Sequence, residues 1–155
     1  MATAKGLEPR PLREVMTRGV EFLHPSATIV EASEKMKALN VGAIPVCDGN
    51  RLQGMLTDRD IVVRVIADRR DPASTRIHEA MSPGIVYCYE DQTIEDATRL
   101  MQEHQIRRVP ILNRDNQLVG IVSLGDLAVK SEETTATEEA LAKISEPARP
   151  NRKAG

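Results

Sequence analysis

The chain carries one pattern twice. Shifted by 65 residues, Met16 falls on Met81, Thr28 on Thr93, Ile29 on Ile94, Ala32 on Ala97, Met36 on Met101 and Pro45 on Pro110. One residue then enters a turn, and at a shift of 66 Leu52 meets Leu118, Gly54 meets Gly120 and Asp60 meets Asp126. Between Glu14 and Val63 the two registers give 13 identities, with conservative pairs such as Val20/Ile85, Ile44/Val109 and Thr57/Ser123 between them. The slip falls inside the polar turns Asp48-Gly49-Asn50 and Asn113-Arg114-Asp115-Asn116, where an insertion is tolerated. A duplication restricts the fold to two similar units. At about 55 residues each, neither has enough core to be comfortable alone.

Both copies read as strand, helix, strand, strand, helix. Thr28-Ile29-Val30-Glu31 is a capping box, followed by Ile29, Ala32, Met36 and Leu39 at helical spacing. Thr93 opens the matching helix, with Ile94, Ala97 and Met101 on one face. Ala43 to Cys47 and Leu52 to Leu56 form a hairpin, in which Pro45 restricts the first strand to an early or edge position. Val109 to Leu112 and Leu118 to Val122 repeat it, and further helices start at Thr57 and Ser123. The fold class is α/β (α+β): a tandem pair of β-α-β-β-α units packed sheet to sheet about a pseudo-two-fold. The division is a flexible tail over 1–10, units over 11–67 and 77–130, a polar linker over 68–76 and a polar tail over 131–155. Within the last, Ala136 to Ile144 is expected as a short helix.

Composition removes several classes of function. Lys+Arg is 21 against 23 Asp+Glu, a net charge of −2, and Arg69-Arg70 and Arg107-Arg108 are short clusters, so nucleic acid is not an expected partner. Phe22, Tyr87 and Tyr89 are the only aromatics, too few for a base-stacking platform. No apolar run reaches a membrane span and the first residues do not read as a secretory signal, so a cytoplasmic protein without membrane contact is expected. In that compartment Cys47 and Cys88 read as reduced, buried small hydrophobes, a Cys47–Cys88 disulfide being the alternative. His24, His78 and His104 are scattered, and no metal site is expected.

Twice the chain presents Ile/Val-Pro, an apolar hairpin and then Gly-(apolar)2-Thr/Ser-x-x-Asp, in Gly54 to Asp60 and in Gly120 to Asp126. Val15-Met16-Thr17 and Ala80-Met81-Ser82 precede the copies. Over residues 11 to 130 this ordered set resembles the cystathionine β-synthase (CBS) domain in tandem, as found in small stand-alone bacterial proteins. The resemblance implies two units packed through their sheets, commonly a disc-like homodimer, with clefts between units where many relatives bind adenosine-containing ligands. It implies no obligatory cofactor.

The chemistry of the motif makes that use intelligible. Thr57 and Ser123 stand at helix starts, where unpaired N–H groups favour phosphate. Three residues on, Asp60 and Asp126 are acceptors suited to a ribose diol. Ile44-Pro45 and Val109-Pro110 are candidate purine walls, with Val20 and Ile85 beside them. Arg107 and Arg108, where the first copy has Gly42 and Ala43, suit bidentate phosphate contact, and Arg59 is a further candidate. This arginine content favours a phosphorylated ligand and the Asp126 cleft. Ser/Thr-x-x-Asp is also a capping motif that needs no ligand.

No nucleophile with its base, Walker lysine loop or GxGxxG is present, so catalysis is not expected. The expectation is a regulatory sensor that binds an adenine nucleotide such as AMP, ADP or ATP and signals to an unidentified protein target. A ligand-free dimerisation and interaction scaffold is the alternative.

Overall fold

The computed structural model describes residues 9–82 and 84–130. The expected helix over Ala136 to Ile144 lies outside the described residues. The first copy contributes α1 (Ile29–Leu39), β1 (Ala43–Asp48), β2 (Arg51–Thr57) and α2 (Asp58–Ile61). The second contributes β3 (Cys88–Tyr89), α3 (Ile94–His104), β4 (Arg108–Leu112), β5 (Leu118–Ser123) and α4 (Leu124–Lys130). This is the mixed helix-and-strand, duplicated class expected from the repeat.

Both long helices start and stop by the same devices. Thr28 Oγ1 accepts from the Glu31 N–H at 3.1 Å while Glu31 Oε2 accepts from the Thr28 N–H at 3.2 Å. In the second copy Thr93 and Asp96 exchange the equivalent bonds at 3.0 and 3.1 Å. Each box satisfies two N–H groups that the first turn leaves without partners. At the other end Asn40 and Gln105 take left-handed conformations, with φ of 55° and 53°. Ile29, Ala32 and Met36 of α1, and Ile94, Ala97 and Met101 of α3, are buried as their spacing requires.

The hairpins pair Ala43 with Thr57 and Arg108 with Ser123, and each bulges at the same repeat position, Val46/Cys47 and Ile111/Leu112. β4 is the middle strand of a three-stranded sheet, although it contains Pro110. Pro45 sits in an edge strand as expected, β1 belonging to a two-stranded sheet, and Pro110 is accommodated in a middle strand because β3 is only two residues long and pairs with Ile111 and Leu112. At the level of Pro110 no strand asks for the missing N–H. In the first copy the corresponding outer strand shrinks to one bridge, Leu23 to Val46. The helix from Thr57 is also less regular than its spacing suggests: after Ile61 it widens into a π-helical turn over Val62–Ile66.

The leading segments are exchanged between the copies. Leu12, Val15 and Met16 precede the first copy but share a core with Ile94, Met101, Ile111 and Leu127 of the second. Ile77 and Ala80 precede the second copy and join Ile29, Met36, Ile44 and Leu56 of the first. The anchoring is symmetric: Ile29 N–H donates to the Thr75 carbonyl and Ile94 N–H to the Arg10 carbonyl. Two aliphatic cores are thereby cross-linked by covalent chain, and the linker is strapped to α1 rather than loose, with Val30 N–H on the Pro72 carbonyl. A third cluster of Cys47, Leu52 and Leu112, flanked by Tyr87, Tyr89 and Leu118, joins the hairpin tips.

Cys47 and Cys88 are unbonded and buried. They lie in different clusters, so the disulfide alternative has no support. Burial pushes the Cys47 thiol up to about 11 and the Cys88 thiol up to about 12, Asp96 adding to the second.

Candidate functional site

Two clefts open between the copies, and the repeat maps one onto the other. The larger, of about 330 Å³, is lined by Gly42, Ala43, Met55 and Thr57 from the first copy and by Ile106, Arg107, Arg108 and Pro110 from the second. Ser82, Gly84 and Val86 complete it. The smaller, of about 250 Å³, is lined at equivalent positions by Thr17, Gly19, Glu21, Val41, Pro45 and Ile121, together with Ala43 and Arg108. Only the first falls within the size range of about 300–1,000 Å³ usual for small-molecule sites.

The first cleft has an apolar body and a few polar groups from different elements. Thr57 ends β2, held by the Ala43 pairing, while Arg107 and Arg108 stand where α3 gives way to β4. Thr57 Oγ1 accepts from the Asp60 N–H at 3.0 Å, which leaves its hydroxyl proton free to be donated. Asp60 Oδ2 accepts from the Thr57 N–H at 3.0 Å, and Asp60 Oδ1 accepts from the Ser82 hydroxyl at 3.2 Å. Having given its proton to Asp60, Ser82 can only accept from a ligand. The site therefore offers one hydroxyl donor, one hydroxyl acceptor and two exposed guanidinium groups around the walls of Met55, Val86, Ile106 and Pro110.

Asp60 itself is 8% exposed and lines neither cleft. Its carboxylate is spent on the cap and on Ser82, and Arg64 Nε lies 4.0 Å from Oδ1. The capping alternative describes Asp60 as it stands, and its influence on the cleft passes through Ser82. Ser123 and Asp126 form the same box at 3.0 and 3.2 Å and also line neither cleft.

The remaining expected residues separate. Thr57, Arg107, Arg108 and Pro110 meet in the first cleft; Val20, Ile44 and Pro45 line the second. Of the arginines expected at the Asp126 cleft, Arg108 lines the second cleft beside Ile121 of its own copy's motif, and Arg107 and Arg108 both line the first with Thr57 of the other copy. Val109 is fully buried in its core and forms no wall. Ile85 is 40% exposed and lines neither cleft. Gly84, at φ 93°, turns the chain so that Val86 faces inward instead. Arg59 is exposed and outside both.

Met55, Ser82, Val86 and Ile106 are contributors that motif reading passed over. The repeat held the signal for all four: Met55 matches Ile121 and Val86 matches Glu21 across the two clefts. Thr17 and Ser82 are equivalent, as are Val41 and Ile106, and each pair occupies equivalent places in the two clefts. Among the described residues, no group of three His, Cys, Asp or Glu is placed to hold a metal ion. No described helix is long and apolar enough to cross a membrane.

Comparison with known proteins places this architecture. The CBS domain family matches residues 12–67 and 77–133. A CBS domain-containing protein of Bacillus subtilis, YhcV, is 47% identical over 134 residues, 86% of this chain and 94% of that one. Hypoxic response protein 1 of Mycobacterium tuberculosis is 38% identical over 117 residues, 75% of this chain and 81% of the relative. A crystal structure of Hypoxic Response Protein I, with two coordinated zinc ions, superposes with a TM-score of 0.73 at 37% identity, covering 77% of this chain and 98% of that one. The CBS pair of protein MJ0100, in complex with 5′-methylthioadenosine and S-adenosyl-L-methionine, gives 0.69 at 22% identity, covering 79% and 96%.

Proposed function

This chain belongs to the CBS domain family, and on that premise we propose that it is a regulatory sensor that binds an adenine nucleotide in the cleft of Thr57, Ser82, Arg107 and Arg108. One observation carries the reading. A cleft of about 330 Å³ joins apolar walls, two hydroxyls and two guanidiniums contributed by both copies. A purine fits such walls, a ribose can accept from Thr57 and donate to Ser82, and phosphates suit the guanidinium forks. MJ0100, which binds adenosine derivatives as a CBS pair, supports the class of ligand. The guanidiniums favour phosphorylated members of that class over the cationic S-adenosylmethionine.

The role is binding rather than catalysis, in the cytoplasm, with the ligand as a regulator and no cofactor required. A ligand joining both copies shifts their arrangement by no more than its differential affinity for the two states. That shift is passed to a protein target through a homodimer.

Thermal shift tests the reading with AMP, ADP, ATP, NAD and S-adenosylmethionine at millimolar concentration. At a hundredfold excess over Kd a ligand stabilises by about 2.7 kcal/mol, a rise of roughly 5–10 °C for a domain of this size. At least one phosphorylated ligand should give it, Arg107→Ala should abolish it and Asp126→Ala should leave it. No shift with any of the five overturns the reading.

The scaffold alternative has an observation of its own. Val62, Val63 and Ile66, all on the π-helical turn, are 58%, 46% and 53% exposed, an apolar face suited to a second copy or a partner helix. If no nucleotide binds while Val63→Glu dissociates a dimer, this reading replaces the sensor.

A further inference from the structure

The repeat makes the two clefts equivalent in backbone and unequal in charge. Each is lined by Ala43 and by Arg108, which occupy the same repeat position and begin β1 and β4. The pseudo-two-fold axis thus passes between one neutral and one cationic side chain, and both face both clefts. The first cleft adds Arg107, where the second has no cation of its own. The second adds Glu21, bonded to Lys35 at 2.8 Å, where the first has Val86.

We propose that Arg108 is an anion contact shared by the two clefts, so that the chain seats one phosphorylated ligand at a time, in the first cleft. This rests on reading the clefts as nucleotide sites and adds occupancy and coupling to it. A guanidinium is a planar fork, and bidentate contact with a phosphate commits its orientation. With Arg108 turned to a ligand beside Arg107, the second cleft presents Glu21 and no free cation. A second anion there meets that carboxylate and the charge of the first ligand. Linkage makes the effect reciprocal: an anion held in the second cleft draws Arg108 from the first. An uncharged nucleoside needs no guanidinium and escapes the coupling.

Calorimetric titration with ADP and with adenosine tests this on the wild-type chain, Arg108→Gln and Ala43→Arg. Wild type should take one ADP per chain. Arg108→Gln should weaken ADP about tenfold or more, the contribution of a charged hydrogen-bonded pair, and leave adenosine unchanged. Ala43→Arg supplies a second guanidinium at the equivalent position and should raise ADP to two per chain. Two equal, independent ADP sites in wild type overturn the sharing alone, as does an equal loss of ADP and adenosine affinity in Arg108→Gln. Absence of heat with both probes overturns the nucleotide reading and the sharing with it. If Ala43→Arg does not fold, the contrast between ADP and adenosine in Arg108→Gln decides.

Discussion

The Ser82 hydroxyl donates to Asp60 Oδ1 at 3.2 Å, tying the segment that leads the second copy to the helix that closes the first. No such bond links their equivalents, Thr17 and Asp126, among the described residues. Ser82→Ala leaves a buried carboxylate oxygen with only the distant Arg64, and should cost about 1 kcal/mol. Thr17→Ala, at an exposed residue, should stay within about 0.5 kcal/mol of wild type. Urea unfolding at equilibrium checks both.

The two hairpin glycines should tolerate alanine unequally. A Cβ on Gly120 would lie 2.6 Å from Met16 Sδ and 2.9 Å from the Thr17 carbonyl oxygen. The thioether can move, but the carbonyl is fixed by its bridge to Ile121. At Gly54 the nearest atom, the Ser82 carbonyl oxygen, is 3.4 Å away. Gly120→Ala should destabilise by about 1–3 kcal/mol, the range for overpacking, and Gly54→Ala by clearly less. Equal midpoints in a urea titration would show that the exchanged segment at Met16 is not packed as described.

These glycines also show how far the sequence could be read. Gly54 and Gly120 matched in register, and the helix starts, hairpins and turns followed from local patterns that needed no partner. The exchange of Leu12–Met16 and Ile77–Met81 was invisible, because periodicity says that a residue is buried and not against which copy. For the same reason local pattern does not reveal that Arg107 and Arg108 reach a cleft with residues of the first copy. Arg108 pairs with Ser123 of its own copy's motif, and both arginines also line a cleft with Thr57 of the other copy. Ser82 was hidden because its importance lies in one hydroxyl bond to a residue 22 positions away.

Burial of the cysteines makes reactivity and alkaline stability one question. With thiols pushed from 9.0 to about 11 at Cys47 and about 12 at Cys88, neither should react readily with a disulfide reagent at neutral pH until the chain unfolds. The folded values lie above the unfolded one. Their contribution to stability is therefore complete below about pH 9 and is lost as pH rises through the folded values. Cys47→Ala should flatten that alkaline decline. Rapid labelling of two native thiols would contradict the burial.

Arg114 holds Asp91 through a two-pronged contact at 2.8 and 2.9 Å while its guanidinium lies 4.0 Å from the centre of the Tyr89 ring. The hydrogen bonds to Arg114 hold the Asp91 carboxyl below the usual 3.8. The pair is complete above that value and is lost as pH falls through the lowered one. Carbon-detected titration should place the Asp91 midpoint below 3.8, and Arg114→Gln should move it upward. An unchanged midpoint in the variant would remove Arg114 as the cause.

The central claim is most directly tested by a crystal structure of the chain grown with millimolar ADP. The base should lie between Ile106, Pro110 and Met55, the ribose against Thr57 and Ser82, and the phosphates on Arg107 and Arg108, with the Asp126 motif unchanged. A first cleft empty of nucleotide density, or ADP seated only against Val20, Ile44 and Pro45, would contradict it.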